Sequence, residues 1–166
     1  MTFADLVAGD SVFVDANTLI YHCSIDPTWG PACTNLLDRI GHGEVTAFTS
    51  THILLEVCHR LMALEAARVL GKPQGPIVKF LKGHLDEVRR LTGFRQAIDD
   101  LCIGQLRLLT IAPSLVGTIA ALCQQIGLLT NDAAVVAIMQ SNGLTKIASN
   151  DPDFDRVPGI TRYAPV

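Results

Sequence analysis

The sequence predicts an α/β protein, a three-layer α/β/α sandwich around a mostly parallel central sheet. Three observations carry this. Short apolar runs without polar alternation, such as Ser11–Val14, suit strands buried on both faces. Helical periodicity fills the stretches between them, and strands alternating with helices imply right-handed βαβ units with both faces of the sheet covered. At 166 residues, with 49% hydrophobic and 17% charged residues, the chain suits one compact domain over 1–166 with a sizeable core.

The elements follow in order. Ser11–Val14 is the first strand, ending at Asp15. Pro31 opens a helix whose apolar face is Cys33, Leu36, Leu37 and Ile40, and Gly41 and Gly43 end it. Glu44–Thr49, rich in β-formers, is the second strand. Ser50 or Thr51 caps a long helix to about Leu70, stopped by Gly71 and Pro73. Ile77–Leu91 reads as a further helix with Val78, Leu81, Leu85 and Val88 on one face, and another helical stretch surrounds Ile98–Cys102. Leu106–Ile111 is the third strand. A helix runs from Pro113 through Gln125, and Gly127 breaks the chain. Asn131 caps a helix over Asp132–Gln140. Lys146–Ser149 is the fourth strand and Ile160–Tyr163 a short fifth.

Composition narrows the function. A net charge of −3 argues against a chain that wraps nucleic acid over its whole surface and leaves room for a local basic patch. Five cysteines at 23, 33, 58, 102 and 123 include no pair at metal-binding spacing, which points to reduced thiols and a cytoplasmic protein. The N-terminus lacks the basic start of a signal peptide. Leu108–Asn131 carries no charge over 24 residues, enough to span a bilayer, but Pro113, Ser114, Gln124, Gln125 and two glycines break it into a buried strand, a turn and a helix, so no membrane is expected.

Ligands of open parallel sheets bind beyond the carboxyl ends of the strands, and acids collect there. Asp15 follows the first strand, Asp151 follows the fourth, Asp132 opens a helix, and Glu56 lies in the early turns of the helix after the second strand. Each has an ordinary alternative: a strand-end cap for Asp15, a helix-dipole charge for Asp132, an Asx turn for Asp151, a solvent-facing position for Glu56. Glu56 is the oddest of the four, because Ile53, Leu54, Leu55, Val57 and Cys58 surround it. Carboxylates that converge repel one another, so a cation must compensate. Oxygen donors select hard Mg²⁺ or Mn²⁺, and such sites serve metal-assisted phosphodiester chemistry.

The residues then resemble a known family. VFVDANTLIY over 12–21 resembles the opening motif of PIN-domain nucleases. Glu56, then Asp132 in TNDAAVVA, then Ser149-Asn150-Asp151-Pro152-Asp153-Phe154 follow in the family's order, the last resembling its Thr-x-Asp-x-Asp-Phe ending with Ser149 for threonine. The similarity spans nearly the whole chain and is nearest to VapC-type toxins of toxin–antitoxin pairs. It implies Mg²⁺-dependent RNA cleavage, with Asp15, Glu56, Asp132 and Asp151 as catalytic and metal-binding residues. It also implies an antitoxin protein as partner and a homodimer, which the apolar helices from Pro31 and Thr51 fit. Asp153 can replace or assist Asp151, and Asn17 can orient a water or phosphate or serve local hydrogen bonding.

Other classes fit worse. A haloacid-dehalogenase-type phosphatase needs an acid where Asn17 stands. No glycine-rich turn follows the first strand, no Gly-x-Ser-x-Gly occurs, Glu56-Val57-Cys58-His59 is the single Glu-x-x-His, and the histidines lack zinc spacing. The remaining rival is a PIN fold that binds RNA or protein without cutting, against which stands the retention of four mutually repelling acids.

Residues 72–95 hold six of the 13 Lys and Arg against two acids, leaving −7 on the remainder. The segment is therefore expected to contact RNA phosphates, through Lys79, Lys82, Arg89 and Arg90, or to dock an acidic partner. A solvated helix face balanced by pairs such as Lys82–Asp86 is the alternative.

Overall fold

The computed structural model describes residues 1–71 and 77–166. Five parallel strands form one sheet in the order β3-β2-β1-β4-β5: β1 Ser11–Val14, β2 Thr46–Ser50, β3 Arg107–Leu109, β4 Lys146–Ala148 and β5 Thr161–Tyr163. β1 is central, and Val12, Phe13 and Val14 are fully buried, as an unalternating apolar run requires. The sheet is thus all-parallel, where a mostly parallel one is expected from sequence.

Helices cover it. α1 (Ala16–Cys23), α2 (Gly30–Gly41), α3 (Thr51–Val69) and α6 (Gly93–Ile103) pack on one another, and α7 (Val116–Ile126) packs on α8 (Thr130–Ser141). α1 is an element the hydropathy pattern does not mark. It is eight residues long with β-branched Thr18 and Ile20, so burial of Ala16, Leu19 and Ile20 overrides weak propensity. α8 is buried nearly all round, Ala133 through Met139. Its start also departs from expectation. Leu129 is the N-cap, the helix begins at Thr130, and Asn131 lies inside it rather than capping it.

The uncharged stretch at 108–131 divides into the end of β3, a 3-10 turn at Pro113–Leu115, α7, and the start of α8, with Gly127 at φ +76° closing α7 in the left-handed conformation glycine tolerates. Among the described residues no single helix is long and apolar enough to cross a membrane. β3 corrects the expectation of a buried third strand. It is the sheet edge, only three residues long, and Arg107 and Leu108 are exposed.

The single helix expected over 77–91 is two: α4 (Ile77–Gly83) and α5 (Leu85–Arg90). Gly83 weakens the helix. His84 leaves helical geometry at φ −133°, ψ 67°, and its Nδ1 bonds the Phe80 carbonyl (2.8 Å) while its ring stacks on Phe80 at 3.9 Å. α4 and α5 build a satellite core of Leu81 and Leu91 on Ala66 of α3.

One carboxylate ties this satellite down. Glu65 of α3 accepts from the backbone amides of Thr92 (3.0 Å), Gly93 (3.0 Å) and Phe94 (2.9 Å), satisfying the otherwise orphaned N–H groups that open α6. Glu65→Ala is expected to cost about 2 kcal/mol, roughly 6 °C in Tm for a chain of this size. Hydrogen exchange at the Thr92, Gly93 and Phe94 amides should accelerate. Unchanged exchange there would show that the cap contributes nothing.

Candidate active site

The site stands on the carboxyl ends of β1 and β4, which are neighbours in the sheet. Asp15 is the first residue past β1, and its N–H continues the ladder to the Ala148 carbonyl (3.1 Å). Its side chain is 8% exposed. Oδ2 accepts from Asn17 Nδ2 (2.7 Å) and from the Ser149 hydroxyl (2.7 Å). Ser149, fully buried after β4, is the hub: its oxygen also accepts from Asn17 Nδ2 (3.0 Å) and from the Asp151 amide (3.0 Å). Asn17 Oδ1 accepts the Asn150 amide (3.0 Å). Asn17 therefore joins the start of α1 to the end of β4, beyond a purely local turn role.

The next segment is held as firmly. Asp151 caps a 3-10 turn, Pro152–Arg156, its Oδ1 accepting from the Asp153 amide (2.9 Å). Phe154 is fully buried and anchors the turn, which stabilises it by about 2–3 kcal/mol. Arg162 of β5 donates to both Asp155 oxygens (2.8 and 2.7 Å) and to the Ser149 carbonyl (3.3 Å), bracketing the loop from both sides.

Carboxylate oxygens of Asp132, Asp151 and Asp153 come within 4.8 Å of one another. Asp15, Glu56, Asp132 and Asp151 line a single cleft of about 580 Å³ together with Asn17, Arg60, Leu129, Thr130 and Asn131. All four acids singled out in the sequence therefore share one cleft. Asp153 joins Asp132 and Asp151 in the tightest trio, and Asp15 and Glu56 stand outside that trio. Asn131 Nδ2 reaches Glu56 Oε2 at 3.5 Å, linking α8 to α3.

The electrostatics follow from crowding. Burial pushes the Asp15 carboxyl up to about 6, helped by the charges of Glu56 and Asp132 and opposed by the Ser149 hydrogen bond. Asp132 is also raised, first by burial and then by Asp151, Asp153 and Glu56, with Arg156 opposing. Arg156 is engaged with Asp153 at 2.7 Å. The lining offers carboxylates with no histidine or cysteine. Such all-oxygen donors fit a hard dication, which relieves the repulsion.

Lys79, Lys82, Arg89 and Arg90 do not line this cleft. They sit on α4 and α5, which pack on α3 near Ala66, about 15 Å along the helix from Glu56. The expected Lys82–Asp86 pair does not form. Asp86 pairs with Arg89 (2.8 Å) and Glu87 with Arg90 (3.4 Å). Lys72 lies outside the described residues. Three residues of the site region carry no functional expectation in the sequence: Arg60, whose one signal is its i+4 spacing to Glu56, Asn131, which reads as a helix cap, and Arg162, which stands in a short terminal strand.

The PIN domain family model matches residues 12–160. This chain belongs to the PIN domain family. Over 155 residues this PIN domain is 26% identical to a VapC ribonuclease of Mycobacterium bovis and to ribonuclease VapC13 of Mycobacterium tuberculosis, covering 92% of the chain and 99% of each relative. Its fold is similar to VapBC2 of Rickettsia felis bound to a promoter DNA fragment (TM-score 0.57, 14% identity, 93% of this chain and 98% of that one). It is also similar to the sarcin-ricin loop cleaving toxin VapC20 of Mycobacterium tuberculosis (TM-score 0.60, 16% identity, 87% and 92%).

A carboxyl raised by folding holds its proton in the folded chain where the unfolded chain has lost it. Its contribution is therefore full below the unfolded pKa and is lost as pH rises through about 4 to 6. For Asp15 this loss is about 3 kcal/mol. With metal chelated, Asp15→Asn is expected to match the wild type near pH 4 and to gain several degrees of Tm over it by pH 7. Parallel Tm curves for the two proteins would show that Asp15 is not the titrating group.

Proposed function

We propose that this PIN domain is a divalent-metal-dependent endoribonuclease, the toxin of a toxin–antitoxin pair acting in the cytoplasm. The observation that carries the reading is the convergence of Asp132, Asp151 and Asp153 oxygens within 4.8 Å, in a cleft shared with Asp15 and Glu56. The relatives named as ribonucleases support RNA as substrate. Neighbours solved as toxin–antitoxin assemblies support the partner.

Asp132, Asp151 and Asp153, with Asp15 alongside, are the residues to hold Mg²⁺ or Mn²⁺. Such an ion, when bound, supplies charge neutralisation at the phosphate and acidification of an attacking water. Asp15 loses its proton to serve, and Ser149 and Asn17 hold its Oδ2 in place. Glu56, oriented by Asn131, accepts the proton of the attacking water.

The surface divides between partners in this reading. Lys79 and Lys82, in no ion pair among the described residues, remain for RNA phosphates, whereas Arg89 and Arg90 are engaged with acids. The apolar groove between α1, α2 and α6, lined by Leu37, Ile40, Ala97, Leu101 and Leu106 with Asp100 beside them, suits a basic amphipathic antitoxin segment. Ile25 at the groove is 85% exposed and held at φ +53°, a strained conformation for a β-branched residue. Both helices expected to pair in a homodimer bury an apolar face in the core, α2 through Cys33, Leu36 and Ile40 and α3 through Ile53, Leu54, Val57 and Leu61; the α3 interface of this reading rests on Leu55, 71% exposed, and Leu64, which the core leaves outside.

Asp132→Asn is expected to reduce RNA cleavage at least a hundredfold while leaving the fold intact, and chelation should abolish wild-type cleavage until Mg²⁺ or Mn²⁺ is restored. Undiminished cleavage in the variant or in chelator would overturn the site. Light scattering at micromolar concentration should give twice the chain mass, and a monomer mass would refute the α3 interface.

A further inference from the structure

We propose that Arg60 is a phosphate-binding residue of the cleft, gripping the strand about one phosphate spacing from Glu56; the inference rests on the nuclease reading above. Arg60 is the single cation among the cleft-lining residues, and it is exposed. Among the described residues it makes no ion pair and no side-chain hydrogen bond. Arg39, Arg89, Arg90, Arg95, Arg156 and Arg162 are all engaged with acids; Arg68 and Arg107 are in no ion pair among the described residues either, but neither lines the cleft. It stands four residues after Glu56 on α3, within ordinary i, i+4 pairing range, and yet the two do not pair. Its guanidinium is therefore available along the cleft.

The chemistry asks for such a group. A phosphodiester strand entering a cleft with Asp15, Glu56, Asp132 and Asp151 meets net negative charge. A dication at the trio compensates for one phosphate only, and the next needs its own counter-charge. One helical turn separates Arg60 from Glu56, about 6 Å along the axis, comparable to the spacing of successive phosphates. A planar guanidinium suits two-pronged contact with phosphate oxygens. No lining residue is aromatic, so base stacking in the cleft is absent and the grip reads charge rather than sequence.

The test compares wild type, Arg60→Gln and Arg60→Lys on short single-stranded RNAs of several sequences. Arg60→Gln is expected to raise KM about tenfold for every sequence and to leave Mn²⁺ affinity and Tm unchanged. Arg60→Lys should recover part of the loss. On an Asp132→Asn background, the log–log salt slope of RNA binding should fall by about 0.7 when Arg60 is also changed to Gln. Unchanged KM and salt slope in a cleaving enzyme overturn the Arg60 assignment alone. A change in Mn²⁺ affinity equal to the change in KM also overturns it, because Arg60 would then act on the metal site. Absence of RNA cleavage by the wild type overturns the nuclease reading and this inference with it.

Discussion

A carboxylate buried at the end of the central strand is the constraint around which the rest of this molecule is arranged. Asp15 has lost nearly all contact with water, and Glu56 and Asp132 press on it with like charge. Left alone, such a group would destabilise the sheet end that carries it. Ser149 and Asn17 answer by sharing one of its oxygens, and they do so from segments more than 130 residues apart in the chain. The same hydroxyl that holds Asp15 also receives the Asp151 amide. One buried serine thereby fixes the relative positions of two acids whose proximity is unfavourable. The fold retains a strained electrostatic arrangement at its functional end and stabilises itself elsewhere, through the apolar strand β1 and the enclosed helix α8.

Topology explains why acids so distant in sequence meet. The chain builds β1, β2 and β3 outward in one direction, then crosses back to lay β4 against the other side of β1. The strand order reverses direction between β1 and β4, which is where open parallel sheets leave a crevice at their carboxyl ends. Asp15 comes from one side of that crevice and Asp151 with Asp153 from the other. The crossing helices contribute the rest: α3 brings Glu56 in its second turn after β2, and α8 brings Asp132 in its first. An N-terminal position on α8 also favours the Asp132 charge that crowding opposes.

The parts legible in sequence are those where a single physical demand dominates. β1 must be apolar throughout because both its faces are covered, and the acids stand out because polar groups beside apolar runs need a reason. A hydroxyl cap for α3 is legible at Ser50 or Thr51, and the structure gives it to Ser50, whose hydroxyl accepts the Ile53 amide (3.2 Å). Other elements are decided by competition between neighbours. α1 forms against propensity because its Leu19 and Ile20 find the core. The helix after Gly71 divides because His84 binds the Phe80 carbonyl instead of continuing the helix. Asn131 does not cap α8, because Leu129 takes the boundary and the asparagine turns to Glu56. None of these outcomes follows from periodicity, since each depends on a partner distant in sequence or on a choice between two equally local hydrogen bonds.

Charge is the least legible property, because composition counts charges without their partners. Within the cation-rich stretch after Gly71, Arg89, Arg90 and Arg95 each face an acid three or four residues away, whereas Lys79 and Lys82 are in no ion pair among the described residues. An exposed pair of that kind acts on a distant phosphate as a weak dipole, and at physiological salt its field fades within about 8 Å. A single unpaired guanidinium within a cleft acts at closer range, where water is partly excluded and the effective dielectric is lower. Arg60 adds one charge to a chain total of −3 and leaves no mark on composition. Its position makes it the one cation among the cleft-lining residues, beside four carboxylates, a placement that composition cannot show.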